Sequence, residues 1–238
     1  MKVYALVQAR VGSERFPAKV LARARGKTLI ERVLERLSQA ASLEGIVLAI
    51  PDLKSDDALA SYWPSVVRGA AEDVLARFWT AVKLYPADAY VRITADCPLT
   101  DPKVVDQLVA EFSSARADYA SNTLERTYPR GFDVEIFTHA LLERAQLEAV
   151  EPWDREHVTP YIARHAKKTA TLRWKNNASK YRLCVDTPKD LQVVEGVLEG
   201  VEPSHPHFGV EEVVAFCDSH PELMRINADE EQRKPTWN

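Results

Sequence analysis

The sequence predicts an α/β fold built on a mostly parallel sheet. In the first half of the chain, short apolar runs alternate with amphipathic stretches, which is the strand–helix rhythm of such folds. The chain has 238 residues, 46% of them hydrophobic, which is enough for one sizeable core. Because no internal repeat and no linker-like stretch divides the chain, we expect residues 1–238 to form a single domain.

The first half contains four apolar runs that are interpreted as strands, at residues 3–8, 45–50, 65–67 and 89–95. The amphipathic stretches between and after them predict helices at residues 28–40, 56–63, 72–84 and 101–112. The first of these helices carries its aliphatic residues on one face, and the third begins with acidic residues, which helix N-termini favour.

The second half has a different pattern. Residues 118–138 contain a Pro-Arg-Gly turn between two extended segments, which predicts a hairpin or an excursion from the sheet. Beyond it we expect strands at residues 168–174 and 181–186. Helices are expected at residues 139–150, 154–166 (interrupted at Pro160), 188–200 and 209–220.

Composition argues against several classes of protein. A net charge of -4 is unsuited to coating nucleic acid. The apolar stretch at residues 3–7 is too short for a signal-peptide core or a membrane span. The three cysteines are isolated from one another, which indicates a reducing compartment and no disulfide framework or zinc ribbon. We therefore expect a cytoplasmic protein without nucleic-acid or membrane partners.

Residues 7–27 are unusually basic for an acidic chain. They hold six of its 31 Lys and Arg residues against one carboxylate, Glu14, and like charges repel one another unless an anion is bound. The six are Arg10, Arg15, Lys19, Arg23, Arg25 and Lys27. The run follows the first strand, and ligands bind beyond the carboxyl ends of parallel strands. We therefore expect a compact anion at this loop.

Two aspartates follow other predicted strands. Asp96 comes directly after RITA and Asp186 directly after YRLCV, each just before a proline-containing turn. An aspartate in such a position is commonly a helix cap or a turn former. Combined with a basic loop at the same edge of the sheet, the pair points to oxygen ligands for Mg²⁺, with substrate phosphates completing the coordination.

The anion that fits these features is a nucleoside triphosphate. Its roughly three to four negative charges can be balanced by Mg²⁺ and several Lys and Arg side chains. A Walker loop is excluded, because only Gly12 precedes Lys19 in the loop. A Gly-x-Gly-x-x-Gly motif is also absent after the first strand, so a dinucleotide-binding domain is excluded as well.

Several phrases, in this order, now match a known family. They are QARVGSERFPAK with GKTLIERVLERL, then EDVLARF, RITADCPLTDP, YPRGFDVEIF, DREHVTPYI and RLCVDTPKDL. Over roughly residues 1–195 the chain resembles the cytidylyltransferases that make CMP-activated acidic sugars, such as CMP-acylneuraminate and CMP-Kdo synthetases. The closer match is to the branch of the spore-coat polysaccharide biosynthesis protein F type.

The resemblance implies a fold and an activity. The expected fold is the GT-A-like α/β/α sandwich of nucleotide-diphospho-sugar transferases, with a small excursion lobe. The expected activity is Mg²⁺-dependent transfer of CMP from CTP to an acidic eight- or nine-carbon sugar, with release of pyrophosphate, for surface or spore-coat polysaccharide. A homodimer is also expected, with residues 116–175 as its dimerisation or sugar-side lobe.

The resemblance also assigns roles to single residues. The triphosphate would be held by Arg10, Gly12, Ser13, Arg15 and Lys19. Mg²⁺ would be bound by Asp96 and Asp186, which complete the catalytic set with Arg15 and Lys19. The nucleotide would also be approached by Asp73 and Arg77. The sugar pocket would be bordered by Asn122, Arg130, Asp133, Glu135 and His157.

Other interpretations stay open on the sequence. Guanylyl or uridylyl transfer to a sugar 1-phosphate would use the same metal and phosphate parts. A GT-A glycosyltransferase is disfavoured, because Asp96-Cys97-Pro98 does not supply the usual Asp-x-Asp pair. A homologue that binds nucleotide without turnover is the non-enzymatic alternative. An acceptor carboxylate would pair with Arg126 or Arg130, whereas Arg23, Arg25 and Lys27 are expected on the solvated surface.

Overall fold

The computed structural model describes residues 1–230, and its centre is a seven-stranded sheet in the order β5-β4-β1-β6-β8-β7-β9. Its strands are parallel except β8, which pairs antiparallel with both β6 and β7. The strands are β1 (Val3–Gln8), β2 (Arg23–Ala24), β3 (Lys27–Thr28), β4 (Gly45–Pro51), β5 (Val66–Gly69), β6 (Ala89–Thr94), β7 (Tyr119–Ser121), β8 (Glu135–Thr138) and β9 (Thr169–Thr171), with β2 and β3 forming a separate ribbon.

Helices cover both faces of this sheet. They are α1 (Leu29–Leu37), α2 (Val74–Leu84), α3 (Pro102–Ala115), α4 (His139–Glu148), α5 (Pro152–His157), α6 (Thr159–His165), α7 (Pro188–Val201), α8 (Val210–Ser219) and α9 (Pro221–Met224). Along β1, Ala5 and Val7 pack in a core with α1, α3, α7 and α8, whereas Leu6 packs in a second core with α2, α4 and α6. Two cores on opposite faces make a three-layer α/β/α sandwich, so the predicted fold class is confirmed.

Helix starts follow local sequence signals. At α1, the Thr28 hydroxyl accepts a hydrogen bond from the Glu31 amide, and the Glu31 carboxylate accepts one from the Thr28 amide at 2.6 Å. The same capping box starts α7, with Thr187 and Asp190. Each box satisfies backbone donors that the first helical turn leaves free. This is why these starts lie within one residue of those predicted from sequence.

Three elements differ from the sequence prediction. The helix predicted at 56–63 is a 3-10 helix at Lys54–Ser61. The helix predicted at 154–166 breaks at Val158, whose φ of 64° is left-handed, and not at Pro160, which sits in the first turn of α6 where its missing N–H costs nothing. The strand predicted at 181–186 is reduced to a single bridge between Arg130 and Arg182.

The segment at 181–185 is instead held between two loops. Leu183 donates a backbone hydrogen bond to Arg130 at 2.8 Å, and Val185 donates one to Asp96 at 2.9 Å. Strands β7 and β8 pair antiparallel across the long loop at 122–134, so the predicted excursion exists. The Val185–Asp96 bond brings Asp186 next to the end of β6.

The C-terminal helices pack on the same chain. The Leu223 side chain of α9 covers Gly196 of α7 so closely that a Cβ at Gly196 would lie 2.8 Å from it. Asn227 then donates to the Arg182 carbonyl at 3.0 Å. Among residues 1–230, the helices fall short of the length and apolar character that crossing a membrane requires.

Gly131 tests how tightly the excursion loop is packed. Its φ of +103° disfavours a side chain, and a Cβ would lie 2.5 Å from the Leu183 carbonyl. We expect Gly131→Ala to lower the free energy of unfolding by about 2–4 kcal/mol, measured by urea denaturation. A Cβ at Gly12 meets nothing within 4 Å, so Gly12→Ala is the control. It should change the free energy of unfolding by less than about 0.5 kcal/mol. Equal stabilities would contradict this packing.

Candidate active site

A cavity of about 460 Å³ lies beyond the carboxyl ends of β1 and β6. Its walls come from the loop after β1, the turn after β6, the excursion loop, helix α5 and the segment before α7. Its lining holds seven cations, Arg10, Arg15, Lys19, Arg77, Arg92, Arg126 and Arg130, and six carboxylates, Glu14, Asp96, Asp133, Glu135, Glu156 and Asp186. A cavity so charged suits a polar, ionic ligand.

The basic loop after β1 is held by its own backbone and by one buried carboxylate. The Val11 amide donates to the Asp56 carboxylate at 2.7 Å, and Asp56 is 1% exposed. The Ala18 amide donates back to the Val11 carbonyl at 3.0 Å, and Ala18 takes a left-handed φ of 55°. Lys19 therefore begins a short 3-10 helix with its side chain in the cavity.

Lys19 lies between the two aspartates that the sequence singles out. Its Nζ is 2.6 Å from Asp96 Oδ2 and 2.7 Å from Asp186 Oδ1. Burial alone would lower the pKa of Lys19, but these two carboxylates raise it above its ordinary value. Burial likewise opposes ionisation of Asp186, yet Lys19, Arg15 and Arg182 hold its pKa below the usual range. Lys19 and Asp186 are therefore both charged at neutral pH.

Asp186 is held in place by groups that sequence reasoning missed. Arg182 Nη2 donates to Asp186 Oδ2 at 2.9 Å, and Arg182 Nε donates to Asp190 Oδ1 at 2.8 Å. Asp190 is fully buried, accepts the Asp186 amide at 3.0 Å, and also accepts Asn227 Nδ2 at 2.8 Å. The only sequence signal for Asp190 was its position as the third helical residue after Thr187.

The two arginines of the basic loop that line the cavity, Arg10 and Arg15, contact carboxylates. Arg15 Nη2 is 3.0 Å from Asp186 Oδ2. Arg10 reaches Glu72 at 3.4 Å and Glu156 at 3.1 Å, and so connects the loop to α5. Ser13 also lines the cavity. The structure therefore brings four of the five predicted triphosphate-binding residues to one cavity.

The predicted sugar side is a second charged cluster. Arg126 holds Asp133 in a bidentate pair at 2.5 and 2.8 Å. Arg130 lines the cavity nearby, and among the described residues its guanidinium has no ion pair. Burial, followed by the neighbouring Arg126, lowers the pKa of Arg130. Among the lining arginines of residues 1–230, Arg130 therefore has its guanidinium open to an anionic ligand.

Two further predicted residues line this side of the cavity. Glu135 accepts hydrogen bonds from Arg92 at 2.5 Å, Tyr119 at 2.6 Å and Thr159 at 3.1 Å, so its carboxylate is mostly occupied by protein partners. His157, at the end of α5, packs its ring 3.8 Å from that of Trp153, and both rings line the cavity.

Three predicted site residues lie outside the lining. Gly12 is in the loop but does not reach the cavity wall. Asp73 caps α2 by accepting from the Ala76 amide at 2.8 Å. Asn122 is fully buried and its side chain bonds the backbone of Phe132 and Val134, so it shapes the excursion loop and does not line the cavity. Here a buried polar side chain is satisfied by backbone groups.

The other basic residues that the sequence singles out divide into one that lines the cavity and three that do not. Arg77 does line the cavity, although its guanidinium donates to the Ala70 and Ala71 carbonyls, and burial lowers its pKa to about 10. The second half of the basic run is exposed, as predicted, and lies outside the lining. Arg23 bonds a backbone carbonyl, Arg25 pairs with Glu202, and Lys27 pairs with Glu35.

The two aspartates fit a hard cation. Their carboxylates converge on one positive charge, the Lys19 ammonium, at 2.6 and 2.7 Å. Within residues 1–230 no cluster of three or more His, Cys, Asp or Glu side chains could hold a metal by itself. One or two carboxylates plus substrate phosphates is the usual arrangement for Mg²⁺, so the donor set suits Mg²⁺ and not zinc.

A charged cavity at the carboxyl edge of a mostly parallel sheet, with two converging carboxylates and a basic loop, is the site of a nucleotide-transferring α/β enzyme. The chain belongs to the cytidylyltransferase family, whose model matches residues 4–221. The predicted family is therefore confirmed, and with it nucleotidyltransferase activity.

Relatives support this membership along nearly the whole chain. The chain is 33% identical to an uncharacterized protein of Methanocaldococcus jannaschii, over 98% of this chain and 97% of that protein. It is 27% identical to the spore coat polysaccharide biosynthesis protein SpsF of Bacillus subtilis, over 91% of this chain and 94% of that protein. A solved cytidylyltransferase from Leptospira borgpetersenii superposes with a TM-score of 0.89 at 31% identity, covering 98% of this chain and 99% of that one.

The cavity cysteines yield a test of site burial. Burial raises the pKa of Cys184 to about 12 and that of Cys97 well above its ordinary value. Because the thiolate is the reactive form, we expect the folded protein to resist 5,5′-dithiobis(2-nitrobenzoate) at pH 8. After unfolding in guanidinium, Cys97, Cys184 and the third buried cysteine, Cys217, should all react fast. Peptide mapping would identify the modified cysteine. Fast modification of Cys97 or Cys184 in the folded protein would contradict these raised pKa values.

Proposed function

We propose that this protein is a Mg²⁺-dependent cytidylyltransferase that transfers CMP from CTP to a sugar and releases pyrophosphate. The observation that carries the proposal is the meeting of Lys19, Asp96 and Asp186 within hydrogen-bond distance, in the same cavity as Arg10 and Arg15. This puts a carboxylate pair beside phosphate-binding cations, as transfer from a nucleoside triphosphate requires. Family membership supports CTP as the donor.

In the proposed reaction, a sugar oxygen attacks the α-phosphorus of CTP. The new bond joins that oxygen to the α-phosphorus, and the bond from the α-phosphorus to the oxygen that bridges to the β-phosphate breaks. Pyrophosphate leaves with that bridging oxygen, and the proton of the sugar hydroxyl passes through solvent to the departing pyrophosphate. The protein's part is to position the groups and stabilise charge. Arg10, Arg15 and Lys19 would hold the phosphates, with Arg making bidentate contacts and Lys acting as a point charge.

Asp96 and Asp186 would hold the Mg²⁺. When bound, the ion supplies Lewis-acid polarisation of the α-phosphate and offsets the charge of the departing pyrophosphate. Arg182 holds the Asp186 carboxylate, and Asp190 holds the Asp186 backbone amide. Arg182 and Asp190 also bond each other, so Asp186 stays directed towards Asp96 and Lys19. Asp96 is tied to the same place through its backbone carbonyl, which accepts from Val185.

The acceptor is proposed to be an acidic sugar of eight or nine carbons. The support is Arg130, whose guanidinium lines the cavity without an ion pair among the described residues, while Arg126 is already paired with Asp133. A carboxylate is the anion that a planar guanidinium fits best, two oxygens to two N–H groups. His157 and Asp133 line the same side and would bond acceptor hydroxyls.

We also place the reaction in its setting. The similarity to SpsF supports a role in surface or spore-coat polysaccharide synthesis. We propose that residues 1–238 act as one cytoplasmic nucleotidyltransferase domain and form a homodimer through residues 116–175. Residues 231–238 of that domain lie outside the described residues.

The first test is nucleotide binding. A ligand at about 100 times its Kd adds about 2.7 kcal/mol to stability. We expect CTP with Mg²⁺ to raise the melting temperature by about 5–10 °C, and UTP, GTP and ATP to raise it less. Asp96→Asn should remove the Mg²⁺-dependent part and cut pyrophosphate release at least about 100-fold.

Asp57→Asn is the matched control, because Asp57 is exposed and pairs with Arg68 outside the cavity. It should keep both the thermal shift and the activity. A larger shift with another triphosphate would change the donor, whereas normal activity of Asp96→Asn would overturn the metal assignment. A response to a nucleotide-sugar and to no triphosphate would instead favour a glycosyltransferase.

The second test concerns the acceptor. With the best acceptor among 3-deoxy-manno-octulosonate, N-acetylneuraminate and glucose 1-phosphate, we expect Arg130→Met to raise the acceptor KM about 10–100-fold. The reason is the loss of a hydrogen bond between charged groups, and the KM for CTP should stay unchanged. Arg173→Met, at an exposed arginine paired with Glu125, is the control. An unchanged acceptor KM would remove Arg130 from the sugar side.

A further inference from the structure

Lys19 and the two aspartates have a consequence for the order of binding. We propose that Lys19 and a divalent ion compete for the same carboxylate oxygens of Asp96 and Asp186, and that the nucleotide triphosphate decides this competition by drawing Lys19 away. The protein without nucleotide then binds divalent ions weakly, and the metal enters with the nucleotide. This inference rests on the proposed function.

The first argument is geometric. One oxygen of each carboxylate lies 2.6 or 2.7 Å from Lys19 Nζ, so the ammonium sits at the point on which both carboxylates converge. A Mg²⁺ ion binds oxygens at about 2.0–2.1 Å, and it would have to use this same point to touch both carboxylates. The three side chains are only 12–24% exposed, so the point between the two carboxylates is enclosed mainly by protein and is already filled by the ammonium. The two cations therefore exclude each other.

The second argument is electrostatic. The second oxygen of Asp186 is also occupied, by Arg15 at 3.0 Å and Arg182 at 2.9 Å. The carboxylate pair is thus already neutralised by protein cations, although part of the Arg182 charge is offset by Asp190. A divalent ion added here would gain little net attraction, because the three cations Lys19, Arg15 and Arg182 already balance the three carboxylates. Weak binding to the protein alone follows.

The third argument is the difference between the three cations. Arg182 bonds both Asp186 and the fully buried Asp190, so it is fixed. Lys19 is a point charge on a flexible four-carbon stem, and it can follow an anion without losing a planar contact. Arg15 has its only described ion pair with Asp186. A triphosphate brings roughly three to four negative charges, which offer Lys19 and Arg15 new partners and leave Asp186 held by Arg182.

The experiment measures metal binding with no catalysis. Mn²⁺ replaces Mg²⁺, and the electron paramagnetic resonance signal of free Mn²⁺ reports binding to the protein without nucleotide. We expect Lys19→Met to bind Mn²⁺ at least about tenfold more tightly than the wild type. Lys27→Met is the matched control, because it removes the same charge from the same basic run, at a residue that pairs with Glu35 outside the cavity. It should bind Mn²⁺ as the wild type does.

Two further measurements locate the effect. Adding Asp96→Asn to Lys19→Met should abolish the gain, since one of the two carboxylates is lost. CTP should tighten Mn²⁺ binding by the wild type more than by Lys19→Met, because only the wild type has Lys19 to be drawn away. If Lys19→Met does not fold, as judged by circular dichroism, Lys19→Gln replaces it.

The outcomes separate this inference from the proposed function. If the wild type binds Mn²⁺ without nucleotide as tightly as Lys19→Met, the competition does not exist and the inference fails. The proposed function then still stands, provided that CTP with Mg²⁺ raises the melting temperature of the wild type. If CTP neither raises that temperature nor promotes Mn²⁺ binding by the wild type, the proposed function fails and takes the inference with it.

Discussion

The structure depends on one electrostatic constraint: two carboxylates at the edge of the sheet must be held close together. Asp96 and Asp186 repel each other, and that repulsion is offset by Lys19, which precedes them in the chain by 77 and 167 residues. The sheet order satisfies this geometry because β1 and β6 are neighbours, so the loop after β1 runs beside the turn after β6. The backbone hydrogen bond from the Val185 amide to the Asp96 carbonyl then brings Asp186 to the same place.

Around this centre, buried polar groups fix the backbone. Asp56 holds the basic loop, Asn122 holds the excursion loop, and Asp190 holds Arg182 and the segment before α7. Each is almost fully buried and satisfied by backbone or charged partners, which is the condition for a polar group to stabilise a core instead of weakening it. Their shared effect is a cavity whose charged side chains keep fixed positions.

The balance of charge explains how an acidic chain tolerates its basic loop. The carboxylates in the cavity nearly equal the cations in number, so the loop does not repel itself when no substrate is bound. Arg10, Arg15 and Lys19 each contact a carboxylate of the protein. A substrate phosphate must therefore exchange with internal carboxylates, which favours ligands that carry several negative charges at once.

The sequence by itself determined the α/β class, the main strands, the capped helix starts and the motif positions of Lys19, Asp96 and Asp186, because these depend on periodicity and on signals within a few residues. Only the tertiary structure decided the missing strand before Asp186 and the structural use of Asn122. The support of Asp186 by Arg182, Asp190 and Asn227 belongs to the same group. The reason is physical: the partner that settles each of these distant contacts comes into reach only when the layers pack.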